Sequence, residues 1–224
     1  MNKAKLNIPP EFGKIIKYWR LIVSFLFLVI ILWSSIFQIS TEEVGVITRF
    51  GEYVRQVEPG LNFKIPLAED VYKVPVERQQ KLEFGFRTAS AGINTQYRQS
   101  SSTKDESLML TGDLNLAEVQ WVVQYRVDNA YNNLFEVRNP QNTLRTLSEA
   151  AMRQIVGDRT VNEVLTVGRT EIGSKSQELI QQICREYSLG IKIEQVVLQD
   201  VNPPEPVKAA FNAVNEAQQE KETL

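Results

Sequence analysis

"EVGVITRFGEYVRQVEPGLNFKIPLAEDVYKVPVERQQ", residues 43–80, decides the fold. Val44, Val46, Ile47 and Phe50 make a β-prone run that Gly51 breaks, and "EYVRQV" is a second short strand. Glu58-Pro59-Gly60 is a strong turn signal, expected to reverse the chain between "YVRQV" and "LNFKI" as a hairpin. Leu61, Phe63 and Ile65 alternate with Asn62 and Lys64, so three apolar side chains share one face. "DVYKVPVERQQKLEF" continues as strand, with Pro75 marking an edge or bulge. A stretch this rich in short strands, with two glycine breaks and no helical period, opens a β-rich domain.

Upstream, no charged residue falls between Leu21 and Thr41. At about 1.5 Å per residue that segment would reach roughly 31 Å, the thickness of a bilayer's hydrocarbon core. Leu21, Ile22, Val23, Phe25, Leu26, Phe27, Leu28, Val29, Ile30, Ile31, Leu32, Trp33, Ile36 and Phe37 are its expected lipid-facing residues. Tyr18 and Trp19 sit at one end and Trp33 near the other, where amphipathic rings favour the interface. A cleaved signal peptide would have a shorter apolar region and a small-residue cleavage site; "SSIFQIS" is a poor one. Lys3, Lys5, Lys14, Lys17 and Arg20 precede the segment, and Glu42 and Glu43 follow it. That asymmetry predicts a single pass with the N-terminus cytoplasmic and the body extracytoplasmic.

Because the anchor is so close, the face of Leu61, Phe63 and Ile65 has two readings. Burial in the domain's own core is the plainer one. Contact with the membrane through Leu61, Phe63, Pro66 and Leu67 is the sharper one.

Downstream, the polar segment Ala89–Ser107 reads as a long exposed loop. "SLMLTGDLNLAEVQWVVQYRV" gives two strands around a Thr111-Gly112-Asp113 turn. The period changes after Asn129: Leu144, Leu147, Ala151 and Ile155 are helically spaced, and Thr160–Glu163 fits a capping box. A further helix carries Ile172, Leu179 and Ile183 and ends at Gly190, and "IKIEQVVLQDV" is a strand. Beyond "NPPEP", Val207, Ala210, Phe211, Val214 and Ala217 belong to an expected oligomer helix, and Val207, Ala210, Val214, Ala217, Lys221 and Leu224 keep the three–four spacing of a coiled coil, weak because two positions are alanine and one is lysine; an ordinary amphipathic helix is the plainer reading. That helix is expected to run on past Leu224. The expected organisation is α+β: a cytoplasmic stretch (1–20), an anchor (21–39), a β-rich membrane-proximal part (41–127), an α+β part (128–203) and the start of a C-terminal helix (204–224).

Chemistry is sparse. The chain has no histidine, which removes Ser-His-Asp and Cys-His catalysis, and a formal charge of −2 argues against nucleic acid as a partner. Cys184, the single cysteine, lies on or beside a helix's apolar face and reads as a buried structural thiol. No phosphate-binding glycine loop occurs, and Ser100–Thr103 has no base beside it. The carboxylate pairs Glu42/Glu43 and Asp105/Glu106 sit in polar stretches expected to be solvated, where they would not act as acid and base. The alternative from another class, a membrane-tethered hydrolase, would have only serine, lysine or aspartate candidates such as a Ser–Lys dyad, and no motif assembles them. No catalytic residue, cofactor or metal is expected.

Residues 43–80 resemble the opening of the SPFH or band 7 domain shared by stomatins, prohibitins and flotillins. "MLTGDLNLAEVQWVVQYRV", "LFEVRNPQNTLRTLSEAAMRQIVGDRTVNEVLT" and "VNPPEPVKAAFNAVNEAQQEKE" look most like its HflK branch. That branch's Gly-rich N-terminus is not matched in residues 1–20, and its long helical region would lie beyond Leu224. The resemblance implies a non-enzymatic scaffold on the bacterial inner membrane. Such a subunit would meet membrane lipid, assemble as a homo- or hetero-oligomer with an HflC-like paralogue, and form a ring or cage that modulates an FtsH-type AAA protease. The alternative within the family is a stomatin- or prohibitin-like organiser of membrane domains with no protease partner.

Overall fold

The computed structural model describes residues 10–90, 96–98, 101–165, 168–210, 213 and 221. The chain divides into two compact units, Met1–Val74 and Pro75–Leu224.

Unit 1 begins with helix α1 (Pro10–Ser34), followed by strands β1 (Ile36–Ile39), β2 (Glu43–Arg49), β3 (Glu52–Val57), β4 (Gly60–Phe63) and β5 (Glu69–Pro75). The central sheet has the order β3-β2-β5, and β1 pairs with β4 as a separate ribbon. Helix α1 ends at Ser34, short of the expected anchor's end at residue 39: Ile36 and Phe37 are strand residues, opposite Phe63 and Asn62. Their backbone groups find partners across the ribbon rather than along a helix. The expected hairpin across Pro59-Gly60 is also replaced. β3 pairs with β2, and the reversal between them is Phe50-Gly51, where both residues have positive φ (51° and 89°). A two-residue hairpin needs that conformation to match the twist of its strands.

Unit 2 contains β6 (Gln80–Phe84), β7 (Arg87–Ser90), β8 (Gln96–Arg98), α2 (Ser101–Ser107), β9 (Leu108–Leu110), β10 (Leu116–Val127), α3 (Ala130–Phe135), α4 (Pro140–Gly157), α5 (Val161–Leu165), α6 (Arg169–Glu186) and β11 (Ile191–Asn202). Its main sheet runs β11-β10-β6 with β9 also on β10. The expected boundary at 127/128 is displaced to Val74/Pro75, because β10 pairs with β11 along nearly its whole length and joins the late helices to the earlier strands. The polar segment 89–107 is not one loop: β7 and β8 pair, and α2 follows, with Thr103 and Ser107 buried.

Along β10 the burial alternates, placing Ala117, Val119, Trp121, Val123, Tyr125 and Val127 in the core. Trp121 stacks on its cross-strand neighbour Phe84 with ring centroids 4.5 Å apart, and the Arg145 guanidinium covers the other partner at 4.8 Å from the Phe84 centroid. The inward stripe of α4 is Leu144, Ser148, Ala151, Met152 and Val156, and that of α6 is Ile172, Gly173, Ser176, Ile180 and Cys184. Leu147, Ile155, Leu179 and Ile183, expected at the centre, pack at its rim. Small serines take the central places because the helices approach closely there: Ser176 Oγ lies 3.5 Å from Met152 Sδ. The capping box forms, with Glu163 accepting from the Thr160 backbone N–H at 2.8 Å and hydroxyl at 2.9 Å.

Candidate membrane-facing site

Unit 1 leaves an unusual amount of apolar surface uncovered. Side chains of α1 are described from Tyr18, and large apolar residues are exposed on every side of it, from Leu21 and Ile22 to Trp33. A helix apolar all round belongs in a core or in lipid. Among the described residues no helix is long and apolar enough to cross a membrane. From Tyr18 to Ser34 the helix extends about 25 Å, against roughly 30 Å for a hydrocarbon core.

No linker separates α1 from the ribbon. Ser35 alone lies between Ser34 and Ile36, and it is held at both ends: its hydroxyl donates to the Lys64 carbonyl at 2.5 Å, and its own carbonyl accepts from the Lys64 N–H at 2.8 Å. Cross-strand register then puts Ile36 beside Phe63 and Gln38 beside Leu61. Ile36, Leu61, Phe63 and Ile65 are all exposed, so the shared apolar face is not in the core. Core burial of Leu61 and Phe63, the plainer expectation, is overturned. The opposite face supplies the core instead, through Ile39 at 2% exposure.

Two loop tips extend this surface. Leu67 is 96% exposed and Phe50 85%, and both hold positive φ, 68° and 51°. They are neighbours, because the Phe50 N–H donates to the Ala68 carbonyl at 3.1 Å. Pro66 between them and the ribbon is half-buried. Holding bulky apolar residues in a left-handed conformation and in water is unfavourable twice over.

What fixes the tips is Glu69. Its side chain is fully buried, yet its carboxylate stays ionised. Oε1 accepts from Arg49 Nη2 at 2.7 Å and Arg55 Nη1 at 3.2 Å, and Oε2 accepts from the Ile65 N–H at 2.9 Å. The Ile65 N–H and the Arg49 guanidinium, helped by Arg55, outweigh burial and hold the pKa at about 2. Arg55 also donates to the Phe63 carbonyl at 2.9 Å, so one cluster ties β2, β3, β4 and the 64–69 loop together. Sequence reasoning found Leu61, Phe63, Pro66 and Leu67 but missed Phe50 and Glu69. The legible signal for Phe50 was "RFGE", two residues between strands with glycine second.

Unit 2 offers little chemistry. Cys184 is 2% exposed, and burial pushes its thiol up to about 11. Glu106 is bound by Arg87 at 2.7 Å, a structural ion pair rather than a free base. Among the described residues no cluster of acids, cysteines or histidines could hold a metal ion. Of the oligomer-helix residues, Val207 and Ala210 are exposed in a helical turn at 205–210, and Phe211, Val214 and Ala217 lie outside the described residues.

Residues 37–224 match the SPFH domain / Band 7 family. Among curated proteins, Protein HflK of Treponema pallidum (strain Nichols) is 41% identical over 193 residues, covering 85% of this chain and 58% of that one. Protein HflK of Borreliella burgdorferi is 32% identical over 216 residues, covering 96% of this chain and 68% of that one. The protein named Modulator of FtsH protease HflK of Escherichia coli (strain K12) is 37% identical over 186 residues, 82% of this chain and 39% of that one. The chain thus spans about half the length of the curated relatives it matches.

Proposed function

Since the chain belongs to the SPFH domain / Band 7 family, we propose that it is a non-enzymatic, membrane-anchored scaffold subunit that modulates an FtsH-type AAA protease. α1 anchors the subunit in the bacterial inner membrane, with the N-terminus cytoplasmic and the body outside. The ribbon face of Ile36, Leu61 and Phe63 and the tips at Phe50 and Leu67 rest in the headgroup region of the adjacent leaflet. Subunits assemble with an HflC-like paralogue into a ring or cage, and the cage confines the protease and limits which membrane proteins reach it.

One observation carries the membrane part: an uncovered apolar surface that continues from α1 across the ribbon to the tips, tied to the helix through Ser35. The name of the Escherichia coli relative supports the protease partner. The test is affinity purification of the full chain from membranes in mild detergent. A large assembly that contains a AAA protease and an SPFH paralogue is expected. A monomer at micromolar concentration with the paralogue present would refute the scaffold, and a large assembly free of any protease would favour the membrane-domain organiser. For the membrane contact, Phe63→Asp with Leu67→Asp should weaken liposome binding of the body, and unchanged binding rejects it.

A further inference from the structure

The connection from α6 into β11 borders a cleft of about 520 Å³, within the roughly 300–1,000 Å³ typical of small-molecule pockets. Backbone hydrogen bonds fix its walls. The Gly190 carbonyl accepts from the Asp128 N–H at 2.8 Å and the Asn129 N–H at 3.1 Å, which fastens the start of α3 to the start of β11. The approach is close enough that a Cβ at Gly190 would collide with the Asn129 carbonyl oxygen. On the helix side, the Leu189 N–H donates to the Cys184 carbonyl at 3.0 Å, and Gln181 accepts from the Ile193 N–H at 2.7 Å. Walls set before a ligand arrives leave less ordering to be lost on binding.

The lining carries charges of both signs that the fold leaves unspent. Among the described residues, neither the Arg185 guanidinium nor the Asp128 carboxylate has a hydrogen bond or an ion pair, and the two do not pair with each other. Lys192, the other cation on the lining, is 3.7 Å from Glu194, which Arg126 binds at 2.9 Å. A simple anion drawn to Arg185 would also meet Asp128, and a simple cation would meet the reverse. A molecule with an ammonium and a carboxylate of its own satisfies both. The neutral groups on the lining suit the peptide bond, which offers a donor and an acceptor. The Asn129 side-chain carbonyl is taken by the Asn132 N–H at 3.1 Å, which leaves its NH2 group to donate. The Asn132 amide and the Ser188 hydroxyl have no partner among the described residues. Ser188 holds φ at 52°, where glycine would sit more easily, and the serine puts a hydroxyl on the lining.

We propose that this cleft binds a short peptide by its two charged ends, with the carboxylate at Arg185, the ammonium at Asp128 and the amides of Asn129 and Asn132 on the peptide bond between. The site does not depend on the scaffold reading, and either can fail without the other. Its test is equilibrium dialysis of the full chain in mild detergent against tritiated trialanine, with unlabelled competitors. Saturable retention is expected, and N-acetyl-trialanine and trialanine amide should each compete about tenfold less well than trialanine, the loss expected for one charge-assisted contact. Asp128→Asn should remove the penalty of the acetyl cap alone, and Arg185→Gln that of the amide cap alone. Both side chains are exposed, so the thermal midpoint should not move in either variant. No retention, or equal competition by free and capped peptides, would overturn the proposal. Free alanine competing as well as trialanine would make this a site for amino acids and overturn the peptide. Inorganic phosphate competing as well would mark a simple anion site and overturn it too.

Discussion

Glu69 shows how one residue sets a surface. Its folded pKa of about 2 lies below the ordinary 4.5, so the stability it contributes is complete above about pH 4.5 and is lost as pH falls toward 2. Thermal melts of wild type between pH 7 and 3 should therefore show a falling acid limb that Glu69→Gln flattens, with the variant less stable at pH 7. An equal acid limb in both would mean that other carboxylates carry the effect. Phe50 predicts the opposite balance. Phe50→Asn relieves a left-handed backbone strain of about 1–2 kcal/mol and should stabilise the fold while reducing liposome binding. Cys184 should react with a water-soluble maleimide only after denaturation. Its burial was legible from its place beside an apolar helical face. Glu69 was not legible, because nothing in "LAEDVYK" indicates that arginines from two other strands converge on it.

At the scale of elements, α6 explains how the outer edge of β11 is kept from pairing with another chain. Arg169, Gly173, Gln177 and Gln181 form one row at four-residue spacing along the helix. Arg169 donates to the Val201 carbonyl at 3.4 Å, Gln177 to Glu194 at 3.0 Å, and Gln181 both donates to Ile191 and accepts from the Ile193 N–H at 2.7 Å. At Gly173 helix and strand approach closely; a Cβ there would sit 2.7 Å from the Val196 carbonyl oxygen. Gly173→Ala should cost about 1–3 kcal/mol in a urea titration, because backbone must shift to admit it. Gln177→Ala with Gln181→Ala should speed amide exchange at Ile193 and promote aggregation, and an unchanged exchange rate would show that the glutamines do not guard the edge. The same accounting appears at the other side of the sheet, where Arg145 of α4 donates to the Glu83 carbonyl at 3.0 Å and Arg153 to Leu108 at 3.0 Å. The helices themselves were legible from their period, and the capping box from Thr160 and Glu163. Their edge-capping role was not, since glutamine and arginine on a helix read as solvent-facing.

For the whole molecule, protease added outside spheroplasts should cut the region after Thr41 if the proposed orientation holds, and an intact body would reverse it. The alternating strand of residues 116–127 was plain in the sequence, but the early strands and the late helices looked like successive domains. Long-range pairing of β10 with β11 merges them, with Val127 opposite Ile191 and Glu118 opposite Asn202.

By itself the sequence determined the long helices, the alternating strand of residues 116–127 and the family: periodicity and several separated motifs are local properties, and they survive without a partner in view. It also determined what is missing, since a chain without histidine cannot run histidine chemistry. Only the tertiary structure decided which strands pair, where the units divide, and which way the face of Leu61 and Phe63 points. Alternation tells that such residues share a face; whether that face meets the core or the outside depends on what the rest of the chain brings against it. Here it brings Ile39 to the inside and leaves Phe63, Leu67 and Phe50 uncovered.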